Sequence, residues 1–197
     1  MMKIRGFIEG FYNRKPKKND YGFENSNITH YIYAPKEDSY IRQKWRLKDK
    51  SLEARSIPKN IAQVYTLSPG ADFNRKSKKD FNFLLSKFNF AIDKGFSEVG
   101  LLFDDIDINN IGIESDDKDL GKFHGELISE VITKLGLSNG WFCPSIYCES
   151  FSKKGIQNDK YLEGVSETIN NDLFFLWTGP KVISDFISQD HLSLIHI

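Results

Sequence analysis

The sequence predicts an α/β protein built on a parallel sheet, and three observations carry that expectation. Six short apolar segments recur along the 197 residues, at 3–8, 30–34, 62–67, 98–103, 141–147 and 173–177. Bounded apolar runs of this length read as strands buried on both faces. Between the third and fourth, and again between the fourth and fifth, apolar residues keep the three-and-four spacing of an amphipathic helix. Finally, each strand-like segment ends in polar, Gly or Pro residues. Alternating strands and helices imply parallel strands joined by right-handed crossovers. An open doubly wound sheet and a barrel both fit that alternation.

In chain order, residues 3–8 lead into Glu9-Gly-Phe-Tyr12, residues 30–34 into Pro35-Lys-Glu-Asp38, and residues 62–67 into Ser68-Pro-Gly70. The first clear helix spans 78–94, with Phe81, Leu84, Leu85, Phe88, Ala91 and Ile92 on one face and Gly95 as its stop. Residues 98–103 end abruptly in Asp104-Asp105. Ionised Asp is costly in a core, so the pair belongs where the strand emerges. A second helix over 117–135 carries Leu120, Phe123, Leu127, Val131 and Leu135, and Gly136 terminates it. The segment 141–147 ends at Tyr147-Cys148, a weaker helix covers 161–169, and 173–177 ends at Thr178-Gly-Pro180. Residues 14–29 and 47–61 show no helical stripe, so the first two crossovers are expected to be shortened. No Gly-x-Gly-x-x-Gly follows the first strand, which removes the main support for a dinucleotide-binding sheet. Polar and aromatic residues at the ends of many strands are the layout of a barrel active site. The expected fold is therefore a (β/α)8 TIM-type barrel, incomplete, with about six of its eight strands present.

Composition narrows the partners. A chain that is 40% hydrophobic can bury one core. Lys plus Arg balances Asp plus Glu at 27 each, which argues against a nucleic-acid surface, and Lys15 to Lys18 reads as a solvated loop. No apolar run approaches the ~20 residues of a membrane span, and the N-terminus lacks an apolar signal core. A cytoplasmic protein is expected. Cys143 and Cys148, placed on one strand, would lie ~17 Å apart on opposite faces, so no bridge forms between them. No metal site or cofactor is expected, and His30 and His124, without ligand partners near in sequence, read as structural.

The carboxylate pair allows three chemistries. Adjacent strand residues project to opposite faces, but at a strand end two carboxylates can flank one substrate atom. Their mutual repulsion separates their proton affinities, giving one proton donor and one permanent anion, a division of labour that suits glycoside cleavage. Asp-Asp also suits a helix cap or loop anchor. Asp104, Asp105 and Asp107 together suit a magnesium ion.

The surrounding motifs separate these. Ile8-Glu-Gly-Phe-Tyr-Asn-Arg14, Tyr31-Ile-Tyr-Ala-Pro-Lys-Glu-Asp38 with Lys44-Trp-Arg46, Leu67-Ser-Pro-Gly70, Leu101-Leu-Phe-Asp-Asp-Ile-Asp107, Phe142-Cys-Pro-Ser-Ile-Tyr-Cys148 and Trp177-Thr-Gly-Pro-Lys-Val182 resemble, in order, the catalytic barrel of glycoside hydrolase family 84. That resemblance implies a β-N-acetylglucosaminidase, of the kind that includes protein O-GlcNAcases and hyaluronidase-like bacterial enzymes. It implies that Asp104 orients and charges the substrate's 2-acetamido group, whose oxygen attacks the anomeric carbon. Asp105 protonates the leaving group and then activates water. Lys36 binds sugar hydroxyls, the Gly10 backbone touches the sugar, and Tyr147 hydrogen-bonds the acetamido-derived intermediate. Cys143, Thr178 and Val182 line the N-acetyl pocket, with Cys143 packing rather than reacting; Trp177 is core or pocket wall.

Three features depart from the family pattern: Asn13 where Gly is expected, Lys15-Pro16 in place of Pro-Trp, and Ile146 where Glu is common. The resemblance also implies a later segment, with an Asn and an Asp that bind the acetamido group and ring hydroxyls, which this sequence lacks. Residues 192–197, Leu-Ser-Leu-Ile-His-Ile, match one reading frame of a sequencing-library transposon end. The expectation is an N-terminal barrel segment over 1–191 followed by an adapter-derived tail. Its function would be to remove terminal β-linked N-acetylglucosamine, with retention, from a glycan or glycoprotein. A sugar-binding pseudoenzyme or inactive fragment is the alternative, and a magnesium-dependent phosphoryl enzyme a third reading.

Overall fold

The computed structural model describes residues 6–11, 27–70, 72–104, 118–169, 172–189 and 191. Six strands are present among them: β1 (Gly6–Glu9), β2 (His30–Tyr33), β3 (Ala62–Leu67), β4 (Glu98–Leu102), β5 (Asn139–Cys143) and β6 (Asp172–Phe175). They follow one another in chain order across a single sheet. A doubly wound sheet reverses its order at a switch point, whereas an unbroken order belongs to a (β/α)8 barrel. The fold is thus α/β, of incomplete barrel type. Two compact units divide it, Met1–Gly100 and Leu101–Ile197, with the boundary inside β4.

In the first unit β1, β2 and β3 are parallel, with Glu9 opposite Tyr33 and Tyr33 opposite Tyr65. Because side chains alternate along a strand, this row shares one face. Tyr33 stacks on Tyr65 at 5.8 Å between ring centroids, and Phe88 meets Tyr65 edge-on at 6.5 Å. Phe88 belongs to α1 (Lys78–Asp93), whose buried stripe is Leu84, Lys87, Phe88 and Ala91. Ser77 caps α1 by accepting from the Asp80 N–H at 3.2 Å. The Asp80 carboxylate in turn takes both Arg46 Nε at 3.0 Å and Nη2 at 2.7 Å. Those bonds hold Asp80 below the usual carboxylate range and push Arg46 upward. Gly95 ends the helix at φ 99°, a conformation that only glycine adopts cheaply.

In the second unit β5 and β6 are parallel, pairing Trp141 with Phe174 and Phe142 with Phe175. α2 (Lys118–Leu135) buries Leu127, Ile128, Val131 and Ile132. α3 (Lys160–Thr168) starts at Asp159, whose side chain accepts from the Leu162 N–H. These two helices approach closely because glycines stand at the contact. A Cβ on Gly121 would land on the Tyr161 carbonyl oxygen, and one on Gly164 on the Lys118 carbonyl oxygen. Above the contact, Lys118 pairs with Glu163 and Glu167, and Lys122 with Glu167. These pairs are exposed and contribute little. The backbone approach decides the packing.

Several boundaries differ from the sequence reading. β5 covers 139–143 rather than 141–147, because Pro144 has no N–H to continue the ladder. Tyr147 and Cys148 therefore sit in the turn beyond the strand. β6 covers 172–175 rather than 173–177, although the Leu176 N–H still reaches the Phe142 carbonyl at 2.9 Å. β2 and β4 are each one residue shorter at their C-terminal ends. Helices are found where expected, and residues 47–61 contain turns rather than a helix. No helix among the described residues is long and apolar enough to cross a membrane. Residues 3–5, 14–26 and 192–197 lie outside the described residues.

Replacing Gly164 by Ala should force α2 and α3 apart and lower unfolding free energy by about 3 kcal/mol or more. Gly136→Ala, at φ 68° with nothing within 4 Å of its added Cβ, should cost only about 1 kcal/mol. Urea unfolding of the two variants checks the contrast.

Candidate active site

Every sequence-predicted site residue among those described lies at or beyond the C-terminal end of a strand. In the first unit Gly10 follows β1 directly and Lys36 lies three residues beyond β2. The two meet through their backbones, the Lys36 N–H donating to the Gly10 carbonyl at 2.9 Å. Below that bond the Ala34 N–H donates to the Glu9 carbonyl at 3.1 Å, so the two strand ends leave the sheet in step. The Lys36 side chain is exposed and Gly10 half-buried.

The loop carrying Lys36 is fastened from below. Asp38 is buried, taking the Tyr33 hydroxyl at 2.7 Å and the Tyr40 N–H at 2.8 Å. Lys87 on α1, only 1% exposed, donates to the Leu47 carbonyl and lies 5.2 Å from the Tyr40 ring centroid. Burial pushes this ammonium down to about 8. Glu9, fully buried, receives Arg55 Nη2 at 2.9 Å and Nε at 3.1 Å, and the guanidinium lies 4.9 Å from the Tyr33 ring centroid. Paired in this way, the Glu9 carboxylate can be buried beside Gly10.

In the second unit the Phe103 N–H donates to the Cys143 carbonyl at 2.8 Å. Asp104 is the next residue, half-buried at the exit of β4. Asp105 lies outside the described residues. Cys143 is buried, its Sγ 3.9 Å from the Leu176 carbonyl. Tyr147 is half-buried, with Phe151 packed edge-on at 5.0 Å. The Thr178 N–H donates to the Tyr147 carbonyl at 2.9 Å, and the Glu149 N–H to the Gly179 carbonyl at 3.0 Å. The Thr178 hydroxyl donates to the Lys181 carbonyl at 2.8 Å. Val182 is 44% exposed. This unit thus brings Asp104, Cys143, Tyr147 and Thr178 to the ends of β4, β5 and β6. Trp177 is half-buried, and its Nε1 donates to His191 at 3.0 Å. Neither cysteine is in a disulfide, and both are buried.

His30 is structural, as read: it is buried, 2.8 Å from the Thr29 hydroxyl and 3.4 Å from Glu98. His124 is 3% exposed and stacks on Phe103 at 3.7 Å. Its Nδ1 lies 2.9 Å from the Tyr161 hydroxyl, and burial pushes it down to about 3. The sequence reading missed the supports: Arg55 under Glu9, Lys87 under the Lys36 loop, and Tyr161 beside His124. Lys87 alone left a signal, a cation on the apolar stripe of a predicted helix. Among the described residues no group of His, Cys, Asp and Glu is arranged to hold a metal.

A family model described as beta-N-acetylglucosaminidase matches residues 5–196. The protein O-GlcNAcases of Rattus norvegicus and Mus musculus are each 31% identical to this chain over 204 residues, covering 95% of it and 22% of each relative. The chain therefore spans about a fifth of the length of those relatives. A solved structure of a mutant Thermobaculum terrenum O-GlcNAc hydrolase matches with a TM-score of 0.76 at 23% identity, over 98% of this chain and 45% of that one. That likeness bears on the fold and agrees with the barrel topology.

The buried ammonium of Lys87 makes a prediction about pH. Its folded pKa, about 8, lies below the ordinary 10.5, so between those values the unfolded chain binds more protons than the folded one. Stability should therefore rise with pH across that window. The slope is at most about 1.4 kcal/mol per pH unit, and smaller to the extent that water reaches the amine. Urea unfolding from pH 7.5 to 10 should show that rise in the wild type and lose it in Lys87→Met.

Proposed function

This chain belongs to the β-N-acetylglucosaminidase family, and on that premise we propose that it is the N-terminal part of a retaining glycoside hydrolase. It removes terminal β-linked N-acetylglucosamine from a glycan or glycoprotein, using the substrate's own 2-acetamido group as nucleophile. The observation that carries the reading is the bond from Phe103 to Cys143. It ties the residue before Asp104 to Cys143, from which the turn to Tyr147 starts, and these are the residues expected to handle the acetamido group.

Asp104 accepts the acetamido N–H, which turns the carbonyl oxygen toward the anomeric carbon and stabilises the positive charge of the cyclic intermediate. Asp105 protonates the departing oxygen and, in the second half, takes a proton from the attacking water. Two displacements at one carbon restore its configuration, so the product is retained without an enzyme nucleophile. Tyr147 hydrogen-bonds the intermediate, Cys143, Thr178 and Val182 enclose its methyl group, and Lys36 with the Gly10 backbone binds the ring hydroxyls. No metal or cofactor enters this scheme. Two cysteine thiols outside any disulfide suit the reducing cytoplasm, where we place the protein.

Leaving-group and acetamido series on the full-length protein test this. Asp105→Asn should slow an alkyl glycoside far more than a nitrophenyl one, because a good leaving group departs without protonation. Asp104→Asn should slow both, by on the order of 10²-fold. Fluorination of the acetamido methyl should progressively slow the wild type. Indifference to fluorination would remove the acetamido oxygen as nucleophile, and activity that requires magnesium would favour the phosphoryl reading.

A further inference from the structure

Under the ends of β4 and β5 lies a buried polar pair that the reaction does not use. Tyr161, in the first turn of α3, is 1% exposed. Its hydroxyl accepts the Ser145 N–H at 3.0 Å and lies 2.9 Å from His124 Nδ1. Assigning the hydroxyl proton to Nδ1, the acceptor within reach, puts the imidazole's own proton on Nε2. Burial disfavours both charged forms, pushing His124 down to about 3 and Tyr161 upward. The acceptor on His124 therefore persists at any working pH. The imidazole also lies flat on Phe103, 3.7 Å away and 11° from parallel.

Two features make this more than packing. A Phe and a Leu would fill the same volume without the desolvation that a hydroxyl and an imidazole incur. The two contacts also fall on chosen residues. Ser145 is the first residue after Pro144 with an N–H to give, so its bond to Tyr161 sets the course of the turn between Cys143 and Tyr147. Phe103 is the last residue before Asp104, and its N–H makes the bond to Cys143.

We propose that Tyr161 and His124 are positioning residues for the acetamido half of the site. Tyr161 holds the 144–147 turn, and with it Tyr147, through the Ser145 N–H. His124 seats Phe103, and with it Asp104, through the stacked ring. The role in catalysis rests on the functional reading above; the positioning does not.

Amide hydrogen exchange and sugar binding on the full chain test it. Tyr161→Phe keeps the ring and removes only the hydroxyl. Exchange at 145–147 should accelerate about ten-fold, the loss of roughly one net hydrogen bond, while the interiors of α2 and α3 hold within about two-fold. His124→Asn leaves an acceptor near the place of Nδ1 but no ring. It should keep 145–147 protected and accelerate exchange at Phe103. His124→Leu should loosen both segments. The affinity for N-acetylglucosamine should fall in Tyr161→Phe, by about the same ten-fold, with that for glucose unchanged. Unaltered exchange at 145–147 in Tyr161→Phe, or acceleration spread evenly over all elements, would overturn the proposal. If the wild type binds no N-acetylglucosamine, the functional reading falls, and the exchange pattern still decides the positioning.

Discussion

The hydrogen bond from the Phe103 N–H to the Cys143 carbonyl, 2.8 Å long, is the constraint on which the second unit depends. It is the last rung between β4 and β5. Beyond it Pro144 can return no N–H, so the two chains must part. Asp104 leaves along one path and the 144–147 turn along the other, from a shared and rigid origin. On the far side of β5 the same strand holds Leu176 through the Phe142 carbonyl, and the turn beyond holds Thr178 through the Tyr147 carbonyl. Loop residues gain the precision of a sheet because each is one or two bonds from a ladder.

The first unit solves the same problem at a higher electrostatic cost. Its loop from 34 to 61 lacks a helix, so it cannot fasten itself with a helical face. Buried charges do that work instead. Glu9 is matched by a two-point contact from Arg55, and Asp80 by one from Arg46; such pairs add little net stability but are costly to break from one side. Lys87 is treated differently: it meets a carbonyl and an aromatic ring, and burial lowers its proton affinity. A short crossover thereby exchanges apolar packing for charge placement.

Glycine contact in the second unit is the complementary solution. α2 and α3 approach until backbone meets backbone at Gly121 and Gly164. That closeness brings Tyr161 within reach of both His124 and Ser145. A wider helix spacing would strand the hydroxyl and leave the Ser145 N–H without its acceptor. Helix packing and the course of the 144–147 turn are therefore one problem.

Periodicity and punctuation, which are local, determined much of this protein. Six strands and three helices among the described residues, the position of Asp104 at the exit of β4 and the six ordered motifs are all legible in windows of a few residues, because side-chain alternation and helical spacing act at that range. Pro144 is equally legible as a strand stop, and β5 ends at Cys143 rather than at 147. What only the tertiary structure decided was the partner of each buried polar group. Arg55 lies 46 residues from Glu9, Lys87 lies 40 from Leu47, and Tyr161 lies 37 from His124. No local pattern encodes such pairs, because a buried donor takes whichever acceptor the packing of distant segments brings within 3 Å of it.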